Sequence, residues 1–198
     1  MKLKNKRRVI IGLSGIGLIL LYFARSLSSI AFLLVTIGVL FLFHYVDHVY
    51  KFDFPLKYYF YLFLIMVFGS IIGAGLPPFG FYYRWELYDK FLHFVSPVLL
   101  CSIVFFIINK LDITLKWKFL LTVSIVMGIL ALFELSEFAG DLLFDFKLQG
   151  VYIFDLINRE KVESILNPHM DTMLDLGLGF LGCLSYVVYK WTHLALKR

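Results

Sequence analysis

Residues 117–139 read WKFLLTVSIVMGILALFELSEFA, and this run decides the class of fold. No charged residue lies between Lys118 and Glu134, so the stretch between them is almost wholly apolar. A helix needs about 20 apolar residues to cross the hydrocarbon core of a bilayer. The run therefore predicts a membrane-spanning helix that carries Glu134 and Glu137 close to one of its ends.

Five further stretches have a similar character, and together they predict an all-α, polytopic transmembrane helix bundle. Of the 198 residues, 61% are hydrophobic and 17% are charged, against about 45–50% and about 25% in an average soluble domain. One aqueous core could not bury so much apolar side chain, so lipid must cover the rest. We expect a single transmembrane domain over residues 1–198 with about six spans. The predicted spans are residues 9–24, 27–46, 56–76, 91–109, 117–139 and 171–191, with one long outer loop at residues 140–167.

The distribution of lysine and arginine predicts the orientation of these spans. With the N-terminus inside, 13 of the 19 basic residues fall in inner segments, and 11 of the 14 acidic residues lie at or beyond the outer boundary. The inner basic residues are Lys2, Lys4, Lys6, Arg7, Arg8, Lys51, Lys57, Lys110, Lys116, Lys118, Lys190, Lys197 and Arg198. This bias accounts for the net charge of +5 and gives no support to a nucleic-acid site. We expect both the N-terminus and the C-terminus to lie in the cytoplasm.

The end of the long outer loop carries a helix-start signal. Asn167 followed by Pro168 is typical of an N-cap and a first helical residue, so the sixth span should begin there. The loop itself mixes aromatic and charged side chains. We expect it to lie against the membrane surface or to cap the bundle.

Three polar segments fall at the outer ends of the predicted fourth, fifth and sixth spans. They read YDKFLHF at 88–94, FELSEFAGD at 133–141 and HMDTMLD at 169–175. Asp89 lies four positions before His93, so the two side chains share one helix face. The same spacing separates Asp171 from Asp175. The segments therefore direct sets of titratable groups from three helices toward one region.

A rise of 1.5 Å per residue arranges these side chains in two layers. His93, Glu134 and Asp175 lie about 23–24 Å from the inner ends of their spans, in the outer half of the hydrocarbon core. The second layer, one turn further out, consists of Asp89, Glu137 and Asp171. Carboxylates at one level repel one another, so the arrangement becomes stable if some are protonated or if cations neutralise them. Carboxylates with one imidazole suit Mg²⁺, Mn²⁺ or Zn²⁺, so we predict that these six residues bind one or two divalent ions.

A structural network is the alternative interpretation of the same residues. Hydrogen bonds would then clamp the three helices together, with Lys90 or Arg84 as the counter-charge.

Two other kinds of pattern occur elsewhere in the chain. His44, Asp47 and His48 have ligand-like spacing, but at the inner end of the second span we expect a solvated interfacial cluster. The glycines of Gly69–Gly73 and Gly177–Gly182 are typical of faces where helices pack closely.

At the three polar segments the chain resembles the YjdF-like family of small bacterial membrane proteins, and more distantly the VanZ-like proteins. The resemblance covers about residues 55–190 and rests on Tyr-Asp-Lys-x-x-His-Phe at 88–94, Glu-x-x-Glu at 134–137 and Asp-Thr-x-x-Asp at 171–175. Gln149-Gly150 is similar to the Gln-Gly that precedes the last motif in the family, although about twenty residues separate the two here instead of a few. The resemblance implies the fold, a shared polar site and a location in a bacterial cytoplasmic (inner) membrane, where we expect the site to face outside. The VanZ-like proteins are associated with glycopeptide-antibiotic tolerance, which implies an envelope role by analogy.

One functional hypothesis is a metal-dependent membrane enzyme, a hydrolase or transferase, acting at the outer leaflet on a lipid or lipid-linked headgroup. The metal would polarise a phosphoryl or acyl oxygen and lower the pKa of a bound water. Glu137 or Asp141 would remain uncoordinated as general base. Lys90 or Arg84 would hold a phosphate of the substrate, and membrane lipids would be the partners.

The other hypothesis is a non-enzymatic envelope protein: a transporter, an ion- or antibiotic-responsive protein, or an assembly subunit. Its polar cluster would be a binding relay or a helix clamp. Between Val95 and Ile108 only Ser96, Cys101 and Ser102 are even mildly polar, which argues against a wet pathway through the membrane. Both hypotheses stay open on the sequence, which predicts no oligomeric state.

Overall fold

The structure is a computed structural model in which the chain forms two compact units, Met1–Trp85 (unit one) and Glu86–Arg198 (unit two). It describes residues 6, 8–13, 15–16, 27–73, 80–144, 148–155 and 160–196. Most of the first predicted span, residues 9–24, lies outside these residues, and its described part is helical.

Unit one is helical throughout its regular segments. These are α1 (Leu27–Tyr50), α2 (Leu56–Val67), a π-helical continuation of α2 (Phe68–Gly73) and the short α3 (Phe81–Arg84). Lys51 and Asp53 adopt positive φ angles of 53° and 54° in the turn that joins α1 to α2. A Cβ on Gly73 would overlap the ring of Tyr82, which confirms close packing there, whereas one on Gly69 would meet nothing within 4 Å.

A buried ion pair ties the N-terminal segment of unit one to α1. Lys6 Nζ donates to Asp47 Oδ2 at 2.8 Å and to Asp53 Oδ1 at 2.9 Å. Lys6 and Asp47 are each only 4% exposed. Asp47 also accepts hydrogen bonds from the Tyr59 hydroxyl at 2.5 Å and the Phe54 N–H at 3.1 Å. The prediction of a solvated cluster is therefore wrong for Asp47, because three donors surround its buried carboxylate.

The same contacts change the proton affinities of the groups that lie outside the helices of unit one. Burial alone would lower the pKa of Lys6, but hydrogen bonds to Asp47 and Asp53 outweigh it and raise that pKa. The hydrogen bond from Lys6 lowers the pKa of Asp53. The ammonium and the carboxylates therefore favour their charged forms at neutral pH.

Unit two contains three long helices and one hairpin. They are α4 (Tyr88–Ile108), α5 (Leu115–Phe144), β1 (Val151–Asp155), β2 (Glu160–Leu166) and α6 (Pro168–Ala195). Among the described residues, α4, α5 and α6 are the helices long and apolar enough to cross a membrane. Each packs against the other two around an apolar core. The core residues are Cys101, Phe105, Phe119, Val126, Leu130, Cys183 and Tyr186.

The start of α6 follows the local signal in the sequence. Asn167 Oδ1 accepts a hydrogen bond from the Met170 N–H at 2.9 Å, and Pro168 takes the first helical position, where its missing N–H costs nothing. The N-cap prediction is confirmed. By contrast, α5 continues to Phe144 and does not end at Ala139.

Glycines bring α6 close to its neighbours. A Cβ on Gly182 would overlap the backbone carbonyl oxygen of Phe94 in α4, and one on Gly179 would overlap the side chain of Leu130 in α5. A Cβ on Gly177 would meet nothing within 4 Å. Close packing is therefore confirmed for Gly179 and Gly182, which let the backbones of α6 and α4 approach.

The long loop contains a β-hairpin, so the fold is not entirely α. Strands β1 and β2 are antiparallel, with Val151 opposite Leu166 and Asp155 opposite Glu160. The register shifts after Val151 and again after Ile153. The aromatic and β-branched residues of β1 suit a strand, and pairing with β2 satisfies backbone groups that an irregular loop would leave to water.

Candidate functional site

The polar residues of unit two meet at the end where α4 and α6 begin and α5 ends. Asp89 lies in the first turn of α4 and Asp171 in the first turn of α6. Carboxylates are favourable in these positions because the free N–H groups and the dipole of a helix N-terminus attract negative charge. Glu134, from the second half of α5, faces the same region and is buried. Three helices thus contribute to one cluster.

Lys90 lies at the centre of three carboxylates. Its Nζ donates to Asp89 Oδ2 at 3.1 Å, to both oxygens of Asp175 at 2.7 Å, and to Asp171 Oδ1. The lysine side chain is 11% exposed. An ammonium has three hydrogens to donate, so these contacts exhaust its donors. Lys90 therefore links α4 to α6 as a counter-charge.

His93 lies between two further carboxylates. Its Nε2 is 3.6 Å from Asp89 Oδ1, and its Nδ1 is 3.6 Å from Glu134 Oε1. These separations are longer than a hydrogen bond. One ligand atom each from Asp89, His93 and Asp175 lies within 4.8 Å of the other two, an arrangement that a metal ion can use.

Glu134 is the least satisfied group in the described part of the cluster. It is 4% exposed and His93 is 7% exposed, yet neither oxygen of Glu134 nor Nδ1 of His93 has a hydrogen-bond partner among the described residues. The Thr172 hydroxyl lies close to Glu134, but the contact does not meet the geometry of a hydrogen bond. Buried polar groups are nearly always paired, so this pair of side chains is an unusual feature.

Glu137 and Asp141 occupy different surroundings on α5. Glu137 is half-buried and lies within Coulombic range of Asp89, Glu134 and the two aspartates of α6. Asp141 accepts hydrogen bonds from the backbone N–H groups of Leu148 at 2.5 Å and Gln149 at 2.9 Å. Asp141 therefore holds the chain segment that follows α5. Its predicted role as a general base stays a prediction.

Gln149-Gly150 lies beside the last motif, despite the insertion between them. Gln149 Nε2 donates to Thr172 Oγ1 at 2.9 Å, and the Gly150 N–H donates to Asp171 Oδ2 at 2.6 Å. Gly150 adopts a φ of 98°, which glycine tolerates without strain. The β-hairpin contains the inserted residues and returns the chain to the point where it left. Sequence reasoning did not include Gln149 among the site residues, and its similarity to the family Gln-Gly was the signal that identified it.

The structure brings together most of the residues predicted for the site. Those in or beside the cluster are Asp89, Lys90, His93, Glu134, Glu137, Asp171 and Asp175. The two predicted layers are not separate, because Lys90 contacts both Asp171 and Asp175. Arg84 is an exposed residue at the end of α3 in unit one, so its assignment to a substrate stays a prediction.

Comparison with known proteins identifies the family. The profile of a family of predicted membrane proteins, DUF2238, matches residues 7–195. The chain therefore belongs to this family, which is usually named YjdF-like, and that resemblance is confirmed. No curated protein and no solved structure matches the chain. Membership and the apolar helices together establish a helical membrane protein, and the likeness to the VanZ-like proteins stays a prediction.

Proposed function

We propose that this member of the DUF2238 family binds a divalent metal ion between Asp89, His93 and Asp175. We further propose that the metal serves a hydrolase or transferase reaction on a membrane lipid or lipid-linked headgroup. The observation that carries the proposal is the buried pair of His93 and Glu134, whose facing polar atoms lack hydrogen-bond partners among the described residues. A cation bound at Nε2 would explain this pair, because it would fix the tautomer whose Nδ1–H can donate to Glu134.

The orientation of the His93 ring supports a metal on its Nε2 side. Nε2 faces Asp89, and Nδ1 faces Glu134 on the other side of the ring. A histidine that binds metal through one nitrogen usually donates its other N–H to a carboxylate or carbonyl, which fixes the tautomer and the ring. In this arrangement Glu134 orients His93, and the ligands are Asp89, His93 and Asp175.

Ligand spacing is consistent with a site that contracts around the ion. The three candidate ligand atoms lie within 4.8 Å of one another. Zinc binds histidine and carboxylate at about 2.0–2.2 Å, which requires ligand atoms closer than this upper limit. Small side-chain movements would bring the three ligand atoms to these distances. Mg²⁺, Mn²⁺ and Zn²⁺ are all compatible with two carboxylates and one imidazole.

The charges of the cluster also favour a cation. Its carboxylates are those of Asp89, Glu134, Glu137, Asp171 and Asp175, and the lysine of the described cluster is Lys90. Two like charges 4 Å apart repel by about 4 kcal/mol at an effective dielectric constant of about 20. One ammonium does not offset several such pairs, so either protonation of some carboxylates or a further cation must relieve the remaining repulsion. A divalent ion would relieve it, and it would supply the charge needed to polarise a phosphoryl or acyl oxygen of a headgroup.

The location of the site completes the proposal. We propose six spans with cytoplasmic termini in a bacterial cytoplasmic membrane, which the positive-inside bias of lysine and arginine supports. The site then lies near the outer surface, within reach of lipid headgroups. Glu137, half-buried beside the ligands, would act as the general base toward a water molecule.

A helix clamp is the second candidate function, because one specific observation favours it. Lys90 already contacts three aspartates and joins α4 to α6. Groups paired in this way can hold a bundle together without any ligand.

Metal analysis of matched variants separates the two candidates. Purified full-length protein would be examined by elemental analysis and by Mn²⁺ titration, beside Glu134→Gln, His93→Gln and the control Glu86→Gln, whose side chain is exposed. We expect about one divalent ion per chain in the wild type and in the control. Loss of the orienting carboxylate should weaken metal affinity by about 10–100-fold, and loss of His93 should weaken it further.

Stability and lipid turnover are then measured on the same samples. Phospholipids incubated with the metal-loaded wild type should yield products detectable by mass spectrometry, and His93→Gln should yield none. The proposal fails if the wild type binds no divalent ion. It also fails if Glu134→Gln mainly unfolds the protein while metal content stays unchanged, and that result would support the clamp.

A further inference from the structure

We infer that the ammonium of Lys90 and the divalent ion compete for the carboxylates of Asp89 and Asp175, and that metal binding releases Lys90 to bind a phosphate group of the substrate. This inference rests on the proposed function and deepens it, because it names the chemical class of the substrate. The substrate would carry a phosphate group near the membrane surface.

The competition follows from shared partners. Lys90 Nζ contacts both oxygens of Asp175 at 2.7 Å and Oδ2 of Asp89 at 3.1 Å. The same two carboxylates supply two of the three candidate metal ligands. An ammonium and a divalent ion repel each other strongly at contact distance in a medium of low dielectric constant. The two cations therefore cannot both keep these carboxylates.

Each cation also has partners of its own, which gives the exchange two defined end states. Lys90 contacts Asp171, which is not in the candidate ligand set. His93 is in that set and contacts Asp89 and Glu134, the latter on the far side of the imidazole ring from Asp89. When the metal takes Asp89 and Asp175, Lys90 keeps Asp171 as its remaining partner.

The released ammonium would be well placed to bind an anion. Lys90 is the third residue of α4 and its side chain is 11% exposed, so it keeps some access to solvent from the centre of the cluster. Its flexible four-carbon stem lets the charge move without movement of the helix. One oxygen of Asp171, Oδ2, continues to accept a hydrogen bond from the Gly150 N–H at 2.6 Å. A phosphate could then bridge the metal and the ammonium, and such groups are strong acceptors for both.

Labelling of Lys90 in the wild-type protein tests the release directly. Full-length protein in a maltoside detergent would be treated with an amine-reactive ester with and without Mn²⁺, and modification would be quantified by mass spectrometry. We expect saturating Mn²⁺ to increase labelling of Lys90 by about tenfold, which corresponds to about 1.4 kcal/mol. Labelling of the exposed Lys116 in α5 should not change. If Mn²⁺ binds and Lys90 labelling stays constant, the competition is refuted and the metal site survives.

A variant provides the reciprocal measurement. Lys90→Met removes the ammonium and keeps an unbranched side chain, and Lys116→Met is its control. We expect Lys90→Met to bind Mn²⁺ about tenfold more tightly or better, because two ligands are no longer shared with a competing charge. Equal or weaker binding by a folded Lys90→Met protein would contradict the inference. Failure of the wild type itself to bind Mn²⁺ would instead refute the proposed function.

Protection of Lys90 identifies the source of the phosphate. Short-chain phosphatidic acid and inorganic phosphate would each be added to the Mn²⁺-loaded wild type before labelling. Protection by phosphatidic acid alone supports a lipid phosphate, and protection by both supports recognition of the phosphate group irrespective of the lipid. If neither protects Lys90, the inferred substrate class is wrong.

Discussion

Replacement of Gly182 by alanine tests the packing that holds α6 against α4. The new Cβ would overlap the backbone carbonyl oxygen of Phe94, an atom that cannot rotate away. Because protein interiors are densely packed, α6 would have to move away from α4 by about 1 Å. His93 precedes Phe94 in α4, and Asp175 lies two turns before Gly182 in α6. The same displacement would therefore widen the candidate metal site.

The size of the effect follows from two opposing contributions. Overpacking of this kind costs about 1–3 kcal/mol. Alanine in a helix interior is more favourable than glycine by about 0.5–1 kcal/mol. Gly177→Ala should show the gain in helix propensity without the overpacking cost, because its Cβ would meet nothing within 4 Å. The difference between the two variants therefore measures packing alone, and we expect it to be about 1–3 kcal/mol.

Unfolding of detergent-solubilised protein by SDS provides the assay. Trp117 in α5 and Trp191 in α6 report on unit two by fluorescence, and the titration yields a free energy of unfolding for each variant. We also expect Gly182→Ala to bind Mn²⁺ more weakly than Gly177→Ala. If the two free energies agree within about 0.5 kcal/mol, the close approach of α6 to α4 is not as described.

Three further predictions concern contacts elsewhere in the chain. Asp47→Asn should lower the free energy of unfolding by up to about 3–5 kcal/mol in the same titration, since it leaves the buried ammonium of Lys6 with only the exposed carboxylate of Asp53 as a charged partner; an unchanged value would contradict the buried pair. The folded protein lowers the pKa of Asp53, so its contact with Lys6 contributes full stability at a pH above the ordinary pKa of 3.8. This contribution is lost as the pH falls through the lower pKa of the folded state. Asp53→Asn should therefore make the melting temperature less dependent on pH between neutral and acidic conditions. Asn167→Ala should cost about 0.5–2 kcal/mol through loss of the N-cap of α6, whereas Asn167→Asp, which keeps an acceptor, should cost little.

Local signals predicted the parts of the fold that depend on neighbouring residues. The apolar run of residues 117–139 forms most of α5, and the Asn167-Pro168 pair starts α6. The four-residue spacing of Asp89 and His93 places both in the cluster, because helical geometry alone determines their common face. Such features need no knowledge of which helices are in contact.

The sequence alone did not predict contacts between residues that are far apart along the chain. Lys6 and Asp47 are 41 positions apart, and nothing near Asp47 in the sequence indicates that it will form a buried ion pair with a lysine. Asp141 resembled an uncoordinated base at the end of a span, but α5 continues past it and the next segment turns back to donate two N–H groups to its carboxylate. The central position of Lys90 likewise depends on how α6 lies against α4.

The β-hairpin was difficult to predict from the sequence for a different reason. Residues 151–154 form a continuous apolar run, which suits either a strand or a segment lying on the membrane surface. Pairing with β2 decides between these, and the two register shifts show that the match is imperfect. A pattern with no clear alternation cannot predict such a partner.

The closed base of the hairpin makes the protein tolerant to changes in length at this place. Gly150 is hydrogen-bonded to Asp171, and Val151 pairs with Leu166. The two ends of the hairpin therefore lie side by side next to the start of α6. The entropy cost of closing a loop grows only slowly with its length. An epitope or fluorescent reporter inserted between Asp155 and Glu160 should therefore leave the Lys90 cluster intact. The hairpin is a natural attachment point for engineering this protein, and a reporter there would also reveal on which side of the membrane the site lies.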